Sequence, residues 1–240
     1  MDINQGGGNV FMDRYLTPIA VLLAAVIIAL AFIFGSGISG KNSAGETPKE
    51  QVVDVKNIKT DDSPFIGDKD AKTTVAVFAD YQCPFCQQFE QKVTPKIIDA
   101  YVSTGKTKVV FKDFQFLGED SQTAAVFGRA VWEASPEKFY DWYKAMFDKQ
   151  DDEGDQGFGD LASIKELTST IPGIDVAKVE KLMTENKAKY EASIAADRAE
   201  GASFGINGTP SIIVGKDKLT GMSPEAFFAK ISASIDADVK

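Results

Sequence analysis

Residues 73–89 read TTVAVFADYQCPFCQQF, and the fold turns on this stretch. Its first six residues are rich in β-branched and aromatic side chains and predict a buried strand. The strand gives way at Ala79-Asp80 to the motif Cys83-Pro84-Phe85-Cys86. From there Phe85, Phe89, Val93, Ile97 and Tyr101 recur every four residues, the spacing of one helical face. Pro95 has no N–H for the carbonyl one turn earlier, so it predicts a kink in that helix.

A cysteine placed where a strand turns into a helix faces the unpaired N–H groups of the first turn. Those donors and the helix dipole favour thiolate over thiol. In such settings a cysteine pKa falls from about 8.5 to between about 3.5 and 7.5. Thiolate is the attacking species in disulfide exchange, which makes Cys83 the candidate nucleophile. Pro84 suits the first helical position, where a missing N–H costs nothing. Cys86 falls one turn later on the same face, placed to attack a mixed disulfide and release the product. Two other readings compete. A structural bridge over so short a loop removes little unfolded-chain entropy and would be a poor staple. Half of a zinc site would need a second chain to complete it.

Composition narrows the classes further. The chain has 240 residues, 44% hydrophobic and 25% charged, ordinary usage for one good-sized domain with appendages. It carries 26 basic and 35 acidic side chains, a formal charge of -9, which argues against a nucleic-acid partner. Histidine is absent, so no Ser-His-Asp or Cys-His nucleophile system and no His-ligated metal or haem can be built. Gln87 follows Cys86 and removes the haem-attachment signature. With only two cysteines, no metal site is expected.

Residues 15–34 (YLTPIAVLLAAVIIALAFIF) contain no charge. As a helix they span roughly 30 Å, the thickness of a bilayer core. A cleaved signal peptide is the rival reading. Its apolar region is usually shorter and follows positive charge, whereas only Asp13 and Arg14 precede this run. A retained anchor is therefore expected, after a short tail of residues 1–14. Arg14 on one side against Lys41 and Lys49 on the other leaves orientation undecided by charge. The redox motif places the large domain outside the cytoplasm. Residues 35–60 mix Gly, Ser, Lys, Glu and Asp and read as a linker, with a reach of roughly 25–30 Å if flexible.

Beyond the first helix, residues 108–116 (KVVFKDFQF) predict a second strand and a long helical stretch follows. Ser135-Pro136 reads as a helix start, N-cap then N1. Phe139, Trp142, Tyr143, Met146 and Phe147 form an apolar stripe that reads as core. Leu161, Ile164 and Leu167 mark another helix; Val176, Val179, Leu182 and Met183 mark one more, opened by Asp175; residues 187–203 continue helical. Residues 211–214 and 218–220 flank a Gly215-Lys216-Asp217 turn as a hairpin, and Ser223-Pro224 starts a last helix with Phe227, Phe228 and Ile231 inward. Strand, helix, strand, a helical block, then hairpin and helix is the thioredoxin arrangement with a helical insertion.

The runs DYQCPFCQQF (80–89), KVVFKDFQFLG (108–118), KFYDWYKAMFDKQ (138–150) and GINGTPSIIVG (205–215) make the chain resemble the DsbA-like branch of the thioredoxin superfamily, over roughly residues 63–235. The resemblance implies an α/β thioredoxin fold in residues 61–240, with its helical insertion at about 120–203, preceded by the transmembrane helix. It implies disulfide donation to unfolded or reduced exported proteins, with Cys83 as exposed nucleophile and Cys86 as buried partner. Pro84 and Phe85 would tune the motif. Thr209-Pro210 would be a cis peptide beside it, contacting substrate. No cofactor is implied beyond the cysteine pair. The implied reoxidase is a quinone-linked membrane protein, DsbB-like or VKOR-like, and the implied location a bacterial cell membrane, single-pass, with the domain outside. Two departures bear on redox strength. Phe85 stands where many relatives carry His, and Val77 where many thioredoxin-fold enzymes carry a buried acid. A membrane-tethered reductase and a peptide-binding, chaperone-like module with incidental thiols are the alternatives.

Overall fold

The computed structural model describes residues 53–150 and 158–238. The expected tail, the anchor at 15–34 and most of the linker lie outside the described residues. Among the described residues no helix is long and apolar enough to cross a membrane.

Five strands form one sheet: β1 (Phe65–Ile66), β2 (Thr73–Ala79), β3 (Thr107–Asp113), β4 (Ser211–Val214) and β5 (Asp217–Thr220), in the order β1-β3-β2-β4-β5. β2 and β3 run parallel, with Val75 opposite Val109 and Val77 opposite Phe111. The other pairs are antiparallel. A parallel pair needs a crossover, and the helices after the cysteine motif supply it. Both faces of β2 are covered: Val75 and Val77 join the larger core, Ala76 and Phe78 a smaller one on the opposite face. That two-sided burial is why the strand reads as a continuous apolar run rather than an alternation.

Helix α1 (Pro84–Lys92) stops at Val93 and restarts as α2 (Thr94–Ile97), followed by a π-helical turn at Ile98–Val102. Pro95 thus breaks the helix outright. The insertion comprises α3 (Glu119–Ala134), α4 (Phe139–Lys149), α5 (Leu161–Ser169), α6 (Val176–Glu185) and α7 (Lys187–Ser203); α8 (Pro224–Asp238) closes the chain over α1. Asp160 and Asp175 cap α5 and α6, accepting from Ser163 N at 2.7 Å and Lys178 N at 3.1 Å. All five members of the α4 stripe are buried, and Trp142 Nε1 donates to Thr168 Oγ1 at 3.0 Å.

Several expectations shift. β3 ends at Asp113 rather than at residue 116, because the N–H groups of Phe116 and Leu117 donate to the Asp80 carboxylate instead of to a strand. Ser135 makes no side-chain cap; Pro136–Lys138 form a 3-10 turn before α4 begins. Asp217 belongs to β5, opposite Val214, so the hairpin turn is Gly215-Lys216, with Gly215 at φ 55°. Phe227 and Ile231 are buried in α8, whereas Phe228 is only partly so. Strand β1 has two residues, too few to leave a pattern. Within the stretch expected as linker, Val55 and Ile58 are buried in the smaller core, and Val55 N donates to Gly215 O at 2.8 Å.

A buried ionic cluster ties the insertion to the end of β3. Lys112 pairs with Asp197 at 2.5 Å and Glu200 at 3.0 Å. Arg129 Nε donates to Asp113 at 2.6 Å, and its Nη2 meets Asp197.

Candidate active site

Asp80 is fully buried at the end of β2 and fixes the turn that carries the motif. Its Oδ1 accepts from Gln82 N at 2.9 Å and from Ser121 Oγ; its Oδ2 accepts from Phe116 N at 2.8 Å and Leu117 N at 3.1 Å. One carboxylate therefore clamps the β2–α1 turn to the β3–α3 connection. Tyr81 packs behind it, stacked on Phe147 with centroids 5.7 Å apart. Gly128 admits this arrangement, since a Cβ there would lie 2.8 Å from the Tyr81 hydroxyl oxygen.

Cys83 occupies the N-cap of α1 with extended backbone (φ -82°, ψ 118°), and Pro84 is the first helical residue, as expected. Cys86 lies on the next turn. Both are free thiols in this structure, and Cys83 is only 4% exposed against 2% for Cys86. The expected exposed nucleophile is therefore covered. In its thiol form Cys83 donates its Sγ–H to the Thr209 carbonyl oxygen at 3.4 Å, so the loop before β4 lies across the sulfur. Thr209-Pro210 is cis and beside the motif.

The two thiols differ in electrostatics. Hydrogen bonding from Cys86 is the largest cause holding Cys83 at about 6, against the opposing effect of burial; Thr209 and the backbone of Cys86 and Phe85 add to it. Burial, then the Cys83 sulfur, push Cys86 well above the usual thiol range. One sulfur is thus a thiolate at neutral pH and the other a thiol.

Phe85 shares the four-residue spacing of Phe89, Val93 and Ile97, yet it is 65% exposed. Two residues past the N-cap, it points off the end of the core and forms one wall of a groove. Phe89, Pro210, Met222, Pro224 and Phe227 are among its other walls, around about 260 Å³ of largely apolar space that Thr209, the hydrogen-bond partner of Cys83, also lines. Cys83, Pro84, Phe85, Cys86, Thr209 and Pro210 are therefore gathered at one place. Val77 is buried in β2.

Glu90 belongs to no sequence motif, yet it joins the site. It is 2% exposed on α1, facing α4, where its carboxylate accepts from Tyr140 Oη at 2.7 Å. The signal lay in the spacing: Cys86, Phe89, Glu90 and Val93 occupy one helical face, and Glu90 is the acid in it. Among the described residues, no cluster of His, Cys, Asp or Glu is arranged to hold a metal ion.

The family model described as Thioredoxin matches residues 59–233. The chain is 30% identical over 184 residues to disulfide bond formation protein D of Bacillus subtilis, covering 74% of this chain and 77% of that protein. It is 25% identical over 220 residues to a probable disulfide bond formation protein D of Bacillus anthracis, covering 92% and 94%. The crystal structure of oxidised BdbD from Bacillus subtilis superposes with a TM-score of 0.67 at 25% identity, covering 75% of this chain and 95% of that one.

Proposed function

The chain belongs to the thioredoxin family, and from that premise we infer that it is a thiol–disulfide oxidoreductase that forms disulfides in other proteins. The observation that carries this reading is the Cys83 sulfur, a thiolate near neutral pH at the N-cap of α1 and beside an apolar groove. In the oxidised enzyme a client thiolate attacks the Cys83 sulfur, and the bond to Cys86 breaks. A second client thiolate then attacks the client sulfur of the mixed disulfide, and Cys83 leaves as a stabilised thiolate. A low-pKa leaving group favours this direction, and the similarity to disulfide formation proteins favours oxidase over reductase.

Thr209 and the start of β4 would offer backbone groups to an extended client segment, with its side chains entering the groove walled by Phe85 and Met222. The pair acts without a cofactor. Residues 15–34 anchor the chain in the membrane, and the catalytic domain works outside the cytoplasm on reduced exported proteins. A quinone-linked, DsbB-like or VKOR-like membrane protein reoxidises it.

Oxidised full-length chain mixed with a reduced, unfolded protein tests the activity directly. Loss of client thiols matched by gain of enzyme thiols supports it, and Cys83→Ala should abolish the exchange. A Cys83→Ala chain that still suppresses client aggregation while no wild-type exchange occurs would make this a holdase.

A further inference from the structure

Disulfide donation leaves a proton to be found. When the client thiolate attacks Cys83, the electron pair of the broken S–S bond goes to the Cys86 sulfur. Burial disfavours charge there, so Cys86 must take up a proton as it leaves, and must lose one when the enzyme is reoxidised. Bulk water does not reach a residue 2% exposed without help.

Glu90 stands four residues beyond Cys86 on the same face of α1, a spacing that sets the two Cβ atoms roughly 5–6 Å apart. Both lie in the α1–α4 interface. Tyr143 of α4 senses the charge of Glu90 and that of Cys86, and so lies near both. Tyr140, one turn earlier on α4, is partly exposed and donates to Glu90. Burial, then the Glu90 charge, keep the Tyr140 phenol well above its ordinary range, so it remains a donor at every relevant pH. A buried carboxyl thus has the resolving thiol one helical turn before it and a partly exposed tyrosine bonded to it.

We propose that Glu90 is the proton reservoir of Cys86, with Tyr140 as its outlet to solvent. In disulfide donation, the protonated Glu90 carboxyl gives its proton to the departing Cys86 thiolate and becomes a carboxylate, which Tyr140 reconnects to water. In the reverse step, the Glu90 carboxylate takes the proton from the Cys86 thiol as that sulfur attacks a mixed disulfide on Cys83. The attacked S–S bond breaks, the Cys83–Cys86 bond forms, and the other sulfur leaves as a thiolate with the electron pair of the broken bond.

The groups facing Glu90 fit this use. From α4 come Tyr140, Tyr143, Lys144 and Asp148; from the loop before α1 comes Tyr81. Lys144 and Asp148 pair with one another. α8 meets α1 through Phe227 on Phe89, an apolar contact, and Lys96 of α2 sits over Phe228. Desolvation dominates and raises Glu90 to about 7, which lets both protonation states serve at neutral pH.

The proposal rests on the exchange chemistry assigned above, and one experiment separates the two. Full-length reduced chain is converted to the Cys83–glutathione mixed disulfide, and glutathione release by Cys86 is timed from pH 5 to 9. Wild-type release should rise through an inflection near the Glu90 pKa and level off. Glu90→Gln should lose that inflection and release glutathione on the order of 100-fold more slowly at pH 8. Tyr140→Phe removes the hydrogen bond that favours the carboxylate, so its inflection should move to higher pH. A Glu90→Gln rate within about twofold of wild type, with the inflection kept, overturns the assignment. So does an unmoved inflection in Tyr140→Phe, which decides the matter if the first variant fails to fold. Wild-type chain that never releases glutathione would overturn the exchange reading itself, and this proposal with it.

Discussion

The Cys83 sulfur and the carbonyl oxygen of Thr209 lie 3.4 Å apart, joining two segments 126 residues distant in sequence. With Thr209 covering one side, the proposed client would reach the sulfur past Phe85 and the groove. Phe85→Ala and Met222→Ala should each lower kcat/KM toward an unfolded client about tenfold, the effect of losing roughly 1.5 kcal/mol of apolar contact. Reaction with dithiothreitol, too small to fill the groove, should change less than about twofold. Equal losses with both reductants would remove the groove from the account.

Redox strength follows from Cys83. Its thiolate is held at about 6 in the folded reduced chain, against an ordinary value of 9.0. A depressed pKa adds stability that is present above the ordinary value and is lost as pH falls through about 6. The oxidised chain has no such thiolate. The stability of reduced over oxidised protein should therefore shrink as pH is lowered from 8 to 5. Phe85 supplies no positive charge, so Phe85→His should lower the Cys83 pKa further and raise the potential. Thiolate absorbance against pH and equilibration with glutathione measure the two. If neither moves, Phe85 does not set the poise.

Glu90 gives the opposite sign. Its folded pKa is raised from 4.5 to about 7, so stability is greatest below 4.5 and is lost as pH rises through about 7. Glu90→Gln should remove that loss, gaining on the order of 3 kcal/mol over wild type at pH 8 while gaining little at pH 4. Urea midpoints at the two pH values check it. A Gln variant less stable at both would mean that the carboxyl is needed for packing.

Arg129→Ala should cost about 3–5 kcal/mol, because it leaves Asp113 buried without its cation, whereas Asp197 keeps Lys112. Cys83 lies outside this cluster, so thiolate absorbance of the folded variant should keep its midpoint. A shift of that midpoint would tie the cluster to the site.

The stretches that local chemistry controls were legible. β2, the Cys83 N-cap, the Asp175 cap and the whole of α7 follow from neighbours in sequence. What was hidden depends on partners far along the chain. Residues 114–116 look like strand, but Asp80, more than thirty residues earlier, takes the N–H groups that would extend it. Arg129 and Asp197 read as ordinary helix charges until the fold brings them to Asp113. Phe85 shares its helical spacing with buried residues, yet the helix begins beside it and its ring stays 65% exposed. The family resemblance implies an exposed Cys83, and nothing in the local sequence shows the Thr209 loop folding over it. Glu90 was visible as an acid in an apolar face, but its meaning needed Tyr140 across the interface.

The division of labour between the two sulfurs is the core of the account, and trapping tests it most directly. Full-length Cys86→Ser and Cys83→Ser chains, each expressed with reduced clients and quenched in acid, are compared on non-reducing gels. Cys86→Ser should accumulate mixed disulfides between Cys83 and clients, because no neighbouring thiol resolves them, and Cys83→Ser should trap far less. Equal trapping by both variants, or more by Cys83→Ser, would contradict the assignment of Cys83 as nucleophile and Cys86 as resolver.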